Sequence, residues 1–71
     1  MSDVERSAAY IAHTSIDDGI SSARLHSIAV CRRAIQLEEQ KEFPRLSLIR
    51  RLTVEITRKE REAAREPKEA A

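Results

Sequence analysis

Aromatic residues, glycine, proline and cysteine are scarce in this chain of 71 residues, which holds one Phe, one Tyr, no Trp, one Gly, two Pro and one Cys. Each shortage excludes something. With Cys31 alone, an intrachain disulfide is impossible and a cysteine-rich zinc site is ruled out. With Gly19 as the single glycine, no glycine-rich loop exists to cradle a phosphate. Aromatic side chains bury the largest areas, so a core without them is thin. A chain this short buries only ~60% of the surface its unfolded form exposes. Further stability is therefore expected from self-association, most simply as a homodimer, or from a larger partner protein. No apolar run approaches the ~20 residues of a membrane-spanning helix, so no membrane partner is expected. The opening Met-Ser-Asp-Val-Glu lacks the basic and apolar stretches of a secretory signal. With the lone cysteine, that points to the reducing cytoplasm.

Charge is abundant. Charged residues make up 35% of the chain, yet 13 Lys and Arg against 12 Asp and Glu leave a net charge of only +1. That balance argues against a protein that coats nucleic acid, whose surface would be strongly basic. The distribution is uneven. Residues 1–30 carry Asp3, Glu5, Asp17 and Asp18 against Arg6 and Arg24, a balance of −2. Residues 45–61 carry Arg45, Arg50, Arg51, Arg58, Lys59 and Arg61 against Glu55 and Glu60, a balance of +4. An acidic first half beside a basic second half favours antiparallel docking, within one chain or between two.

The dominant pattern is an apolar stripe. Ala9, Ala12, Ile16, Ile20, Ala23, Ser27, Val30, Ala34 and Leu37 follow one another at steps of three or four residues, the spacing of one helical face. Ile28 and Ile35 widen it, while Asp17, Arg24, Arg33 and Glu38 mostly lie off it. Ser2 and Glu5 form a capping-box pattern that starts a helix at Asp3, and Asp3 and Glu5 then favour the positive end of its dipole. Thr14 with Asp17, or Ser15 with Asp18, offers a second start near Gly19. The stripe stays in phase across it, which favours one long helix over about 3–40, with Gly19 chosen for close packing. Pro44 disfavours helix at Phe43, so Lys41–Pro44 is the expected corner, and a second helix runs over about 44–64. Its apolar residues Leu46, Ile49, Leu52 and Ile56 recur at helical spacing, with Leu48 alongside. Leu52, Val54 and Ile56 also alternate as a short strand would, but charged helix formers follow directly. Residues 65–71 read as a frayed tail. The expectation is an all-α helical hairpin within one domain over 1–64, self-associating to cover its stripe.

Few residues suggest chemistry. His13 and His26 are too far apart to share a metal from one helical face. Cys31 reads as a small core residue, with Arg32 and Arg33 nearby as a possible means of lowering its pKa. Asp17 and Asp18 point in different directions, and no serine sits on a nucleophile elbow. No enzymatic activity, cofactor or metal is expected. The arginines of the second helix, Arg45, Arg50, Arg51 and Arg58, are candidate partner contacts, for a protein or for nucleic acid phosphates.

The opening Met-Ser-Asp-Val-Glu-Arg-Ser-Ala-Ala-Tyr, followed by Ile20-Ser21-Ser22-Ala23-Arg24, resembles the N-terminal helix of short TraR/DksA-type regulators. Those are small phage- and plasmid-encoded proteins that bind the secondary channel of bacterial RNA polymerase. Asp3 and Ala8 fit the family's acidic tip, whereas Arg6 stands where a second acid belongs. Cys31 and the segment Phe43–Leu48 look like remnants of the family's zinc finger, without its other three cysteines, so neither metal nor finger carries over. The resemblance covers about the first half of the chain and implies Asp3 and Glu5 as polymerase-facing groups. The expected function is thus a small non-enzymatic cytoplasmic regulator that binds a host protein, in its sharpest form RNA polymerase. A helical DNA- or RNA-binding repressor using the second helix is the alternative.

Overall fold

Three serines set the helix boundaries of the first half. The computed structural model describes residues 2–65, and all but the first residue of the expected tail at 65–71 lies outside them. Among the described residues there are four helices and no strand: α1 (Asp3–His13), α2 (Ile16–Arg24), α3 (Ile28–Glu39) and α4 (Leu46–Ala64). Ser2, Ser15 and Ser27 are the N-caps of α1, α2 and α3, their hydroxyls accepting from the backbone N–H of Glu5, Asp18 and Val30. Such caps satisfy N–H groups that have no partner within the helix.

The single helix expected over 3–40 therefore breaks twice, at Thr14–Ser15 and at Leu25–Ser27. The first break is extended at Thr14 and Ser15. The second leaves the helical region only after Leu25 and is extended at Ser27. Each is closed by a serine hydroxyl, which competes with the helix for the local N–H groups. The stripe survives because each corner bends towards its inner side. Ala12, Ile20, Ala23, Val30 and Ala34 are all buried, and Ser27, formally a stripe residue, is the exposed cap. Gly19 lies inside α2, away from either break. A Cβ added there would meet the Ile11 carbonyl oxygen at 3.1 Å, so glycine permits α1 and α2 to approach closely.

The helices close a ring. α1 touches α2 and α3, and α4 touches the same two. Inside lie Ala8, Ile11, Ile20, Ala23, Val30, Cys31, Ala34, Leu48, Leu52 and Ile56. Leu48 and Leu52 are fully buried, each contributing ~1.5–3 kcal/mol of burial. The stripe thus finds its partner within the same chain, in α4 and in its own earlier turns. A second copy is not required to cover it. The expected two-helix hairpin gives way to this four-helix ring, in which α4 runs back along α3 from Glu38–Arg45 at one end to Arg32–Glu60 at the other. No helix among the described residues is long and apolar enough to cross a membrane.

The α3–α4 corner is organised by Glu38, a residue expected off the stripe that is fully buried. Its carboxylate accepts from the Arg45 backbone N–H at 2.7 Å and from the Arg45 guanidinium at 3.0 and 3.1 Å, and it pairs with Lys41 at 2.9 Å. It supplies a negative group at the start of α4, where Arg45 is the cap and has no side-chain cap bond of its own. That capping explains why α4 begins at Leu46, two residues beyond Pro44. Arg45 also donates to the carbonyls of Ala12 at 2.6 Å and Thr14 at 2.7 Å, and Lys41 donates to Ala12 as well. The end of α1, whose last carbonyls lack helical partners, is thereby satisfied from thirty residues away. Burial pushes the Glu38 carboxyl up, but the Arg45 and Lys41 hydrogen bonds outweigh it and hold the group down to about 2.

Candidate partner-binding surface

The 19 residues of α4 divide into two faces. Leu48, Leu52, Glu55 and Ile56 face the ring and are buried. Opposite them, Leu46, Arg50, Thr53, Val54, Thr57 and Arg61 are all exposed at helical spacing, with Leu46 and Val54 each 63% exposed. The alternation of Leu52, Val54 and Ile56 is thus incidental to a helix that buries only the first and third. The Thr53 hydroxyl donates to the Ile49 carbonyl at 2.9 Å, so it is already engaged within the helix. A shallow depression of about 460 Å³ lies on this face, lined by Thr53, Val54, Thr57, Arg58, Arg61, Glu62 and Arg65. Among the described residues, the lining belongs to α4 and its cap.

Half of the six basic residues over 45–61 are ion-paired within the chain. Arg45 is bound to Glu38. Arg51 reaches Asp17 at 3.4 Å, and Arg58 pairs with Glu55 and Glu62, both at 2.8 Å. Glu55, buried, also accepts from Arg24 at 3.3 Å, and Lys59 donates to the Arg24 carbonyl rather than pairing with Glu55. The Arg58 guanidinium, aided by Arg24 and opposed by burial, holds the Glu55 carboxyl below its ordinary range. Glu5 is occupied too, paired with Arg33 at 2.6 Å. It serves to pin α1 to α3 rather than to face outward. Of the candidate contact residues, Asp3 and Arg50 are exposed and have no ion-pair partner among the described residues. Arg61, which the sequence reading counted only as part of the basic balance, shares that state on the α4 face. Its position, eleven residues beyond Arg50, was the available signal.

Of the remaining chemistry-bearing side chains, Cys31 is buried, His26 half-buried and His13 exposed. Cys31 is buried with its thiol directed at the Ala23 carbonyl at 3.7 Å, and burial pushes its pKa up. Lys59 opposes that rise and Glu55 adds to it. Cys31 is thus the small core residue expected, and the alternative of activation by Arg32 and Arg33 finds those arginines drawn to Glu60 and Glu5. His26 Nδ1 lies 2.8 Å from the Ser22 carbonyl, at the end of α2. Among the described residues no three His, Cys, Asp or Glu side chains are grouped to hold a metal.

No protein-family model, curated protein or solved structure matches this chain.

Proposed function

We propose that this chain is a small, non-enzymatic binding protein that acts by occupying a surface of another protein, docking through the outer face of α4. The observation that supports this is the depression over Thr53, Val54 and Thr57, whose lining among the described residues comes from α4 and its cap. Pockets that hold small molecules bury most of the ligand between several walls. The trough over α4 offers no such set of walls among the described residues, which favours a partner that brings an opposing surface. Apolar Leu46 and Val54 beside Arg50 and Arg61, which have no ion-pair partner among the described residues, are the mixture found where proteins meet. The rival reading, nucleic-acid binding by the basic helix, loses Arg45, Arg51 and Arg58 to partners within the chain.

A photo-crosslinking residue at position 54, compared with one at position 6 on α1, tests the proposal in lysate. Protein adducts at position 54 that are competed by excess unmodified chain support it. Equal adducts at both positions, or adducts to nucleic acid alone, refute it. The sharpest form of the proposal has bacterial RNA polymerase as the partner, with exposed Asp3 in the first turn of α1 as a contact. In that form Asp3→Ala weakens polymerase capture, and capture that is absent or unaffected removes it. Self-association is read by sedimentation.

A further inference from the structure

We infer that the occupant of the α4 face is an acidic amphipathic helix, one that brings an apolar ridge flanked by carboxylates. This rests on the reading of α4 as a protein-docking surface and names the partner's chemistry. Three features of the face carry it. The floor is Val54 and Thr57 with the back-bonded Thr53, which asks for apolar atoms rather than hydrogen-bond donors. The charges on this face without ion-pair partners among the described residues, Arg50, Arg61 and Arg65, are of one sign, and Arg50 and Arg61 flank that floor. Eleven residues separate them, about 16 Å along a helix. A partner helix lying along α4 meets both with carboxylates ten or eleven residues apart.

Two other occupants fit less well. Duplex DNA presents a charge about every 1.7 Å of its axis. Against that density this face offers three arginines without ion-pair partners among the described residues, Arg50, Arg61 and Arg65, and it also holds Glu62 at the edge of the trough, paired with Arg58. A phosphate track would leave most of its charge unanswered and would meet a carboxylate. A second copy of this chain fails on sign. An antiparallel two-fold pairing of α4 centred on the Val54–Thr57 floor sets Arg50 of one copy opposite Arg61 of the other, and like charges juxtaposed at an interface oppose it.

Three labelled probes decide the matter with the full chain. The first is a helical peptide with a leucine stripe and glutamates ten or eleven residues apart. The second is the same peptide with lysines in place of the glutamates, and the third is a short DNA duplex. Fluorescence anisotropy gives the affinities, and amide shifts in 15N-labelled protein give the location. The glutamate peptide is expected to bind about tenfold or more tightly than the lysine peptide, moving the amides of Thr53, Val54 and Thr57. Arg50→Glu with Arg61→Glu is expected to reverse that preference, a gain that misfolding does not produce. Equal binding of the two peptides, no binding of the glutamate peptide, or shifts confined to other helices overturns the inference. Concentration-dependent dimerisation abolished by Val54→Asp also overturns it, while leaving α4 as a protein-docking face. Binding of the duplex alone overturns both readings.

Discussion

Replacing Glu38 by glutamine tests how the corner of the fold is held. The change keeps the shape and removes the charge. It leaves Arg45 and Lys41 with one another, packed against the end of α1 without a counterion. Removing one member of a buried pair costs ~3–5 kcal/mol. A second route gives the same scale. Lowering the carboxyl from 4.5 to about 2 on folding corresponds to ~3 kcal/mol at neutral pH. Arg45 and Lys41 are each about 30% exposed, which favours the lower end of the range. The whole stability of a domain this size is ~5 kcal/mol, so Glu38→Gln is expected to lose most of it. Because the folded carboxyl is the stronger acid, its contribution is complete above about pH 5. It fades as pH falls from there to about 2. Urea unfolding followed by far-ultraviolet circular dichroism, for both proteins at pH 7 and at pH 2, reads the difference. The gap between them is expected to be ~3 kcal/mol at pH 7 and to close towards pH 2. A gap under ~0.5 kcal/mol at pH 7, the size of an ordinary surface change, refutes the reasoning. So does a gap that pH leaves unchanged.

Ser15→Ala removes the cap of α2 and is expected to cost ~1 kcal/mol, lowering the melting temperature by ~4–8 °C; an unchanged melting curve contradicts the assignment. Gly19→Val forces a branched side chain against the Ile11 carbonyl. Such overpacking costs ~1–3 kcal/mol, and denaturant titration of an undiminished protein would show that α1 and α2 are not held at that approach. Native Cys31 is expected to resist thiol reagents at pH 8 and to become reactive in step with unfolding, since burial raises its pKa. Rapid stoichiometric modification of the folded protein excludes that. Leu52→Ala is expected to cost ~2–5 kcal/mol by opening a cavity in the ring, whereas Val54→Ala, on the outer face, is expected to change stability by under ~0.5 kcal/mol.

How far the sequence discloses this fold follows from what periodicity records. Steps of three and four residues identify which side chains turn inward, and Ala12, Ile20, Ala23, Val30 and Ala34 all do so. They do not record whether the axis stays straight. A helix that bends around its own apolar side preserves the steps, so the corners at Ser15 and Ser27 are invisible to the stripe. They are visible only to the caps. Ser2 with Glu5 and Ser15 with Asp18 both show a capping pattern, but the in-phase stripe outweighs the second. Ser27 has no acidic or amide residue three positions on to mark it. Glu38 was misread for a related reason. It stands four residues after Ala34, a position on the inner face, yet a carboxylate is ordinarily expected outside. A charge at an inward step is itself a signal of a buried pair, and Arg45 with Lys41 supply its partners. The basic balance of the second helix could be counted but not apportioned. Which arginines are cancelled depends on Asp17, Glu38, Glu55 and Glu62 arriving from particular directions, and only the folded chain sets those.

The stitching of α1 by Arg45 and Lys41 has a consequence for how the protein is born. Synthesis runs from the N-terminus at ~5–20 residues per second, so the first helix emerges seconds before the two side chains that finish it. During that interval its trailing carbonyls, at Ala12 and Thr14, have only water to bind. The nascent chain therefore waits on its α3–α4 corner, and shortened forms that stop ahead of Arg45 leave their opening helix without an anchor.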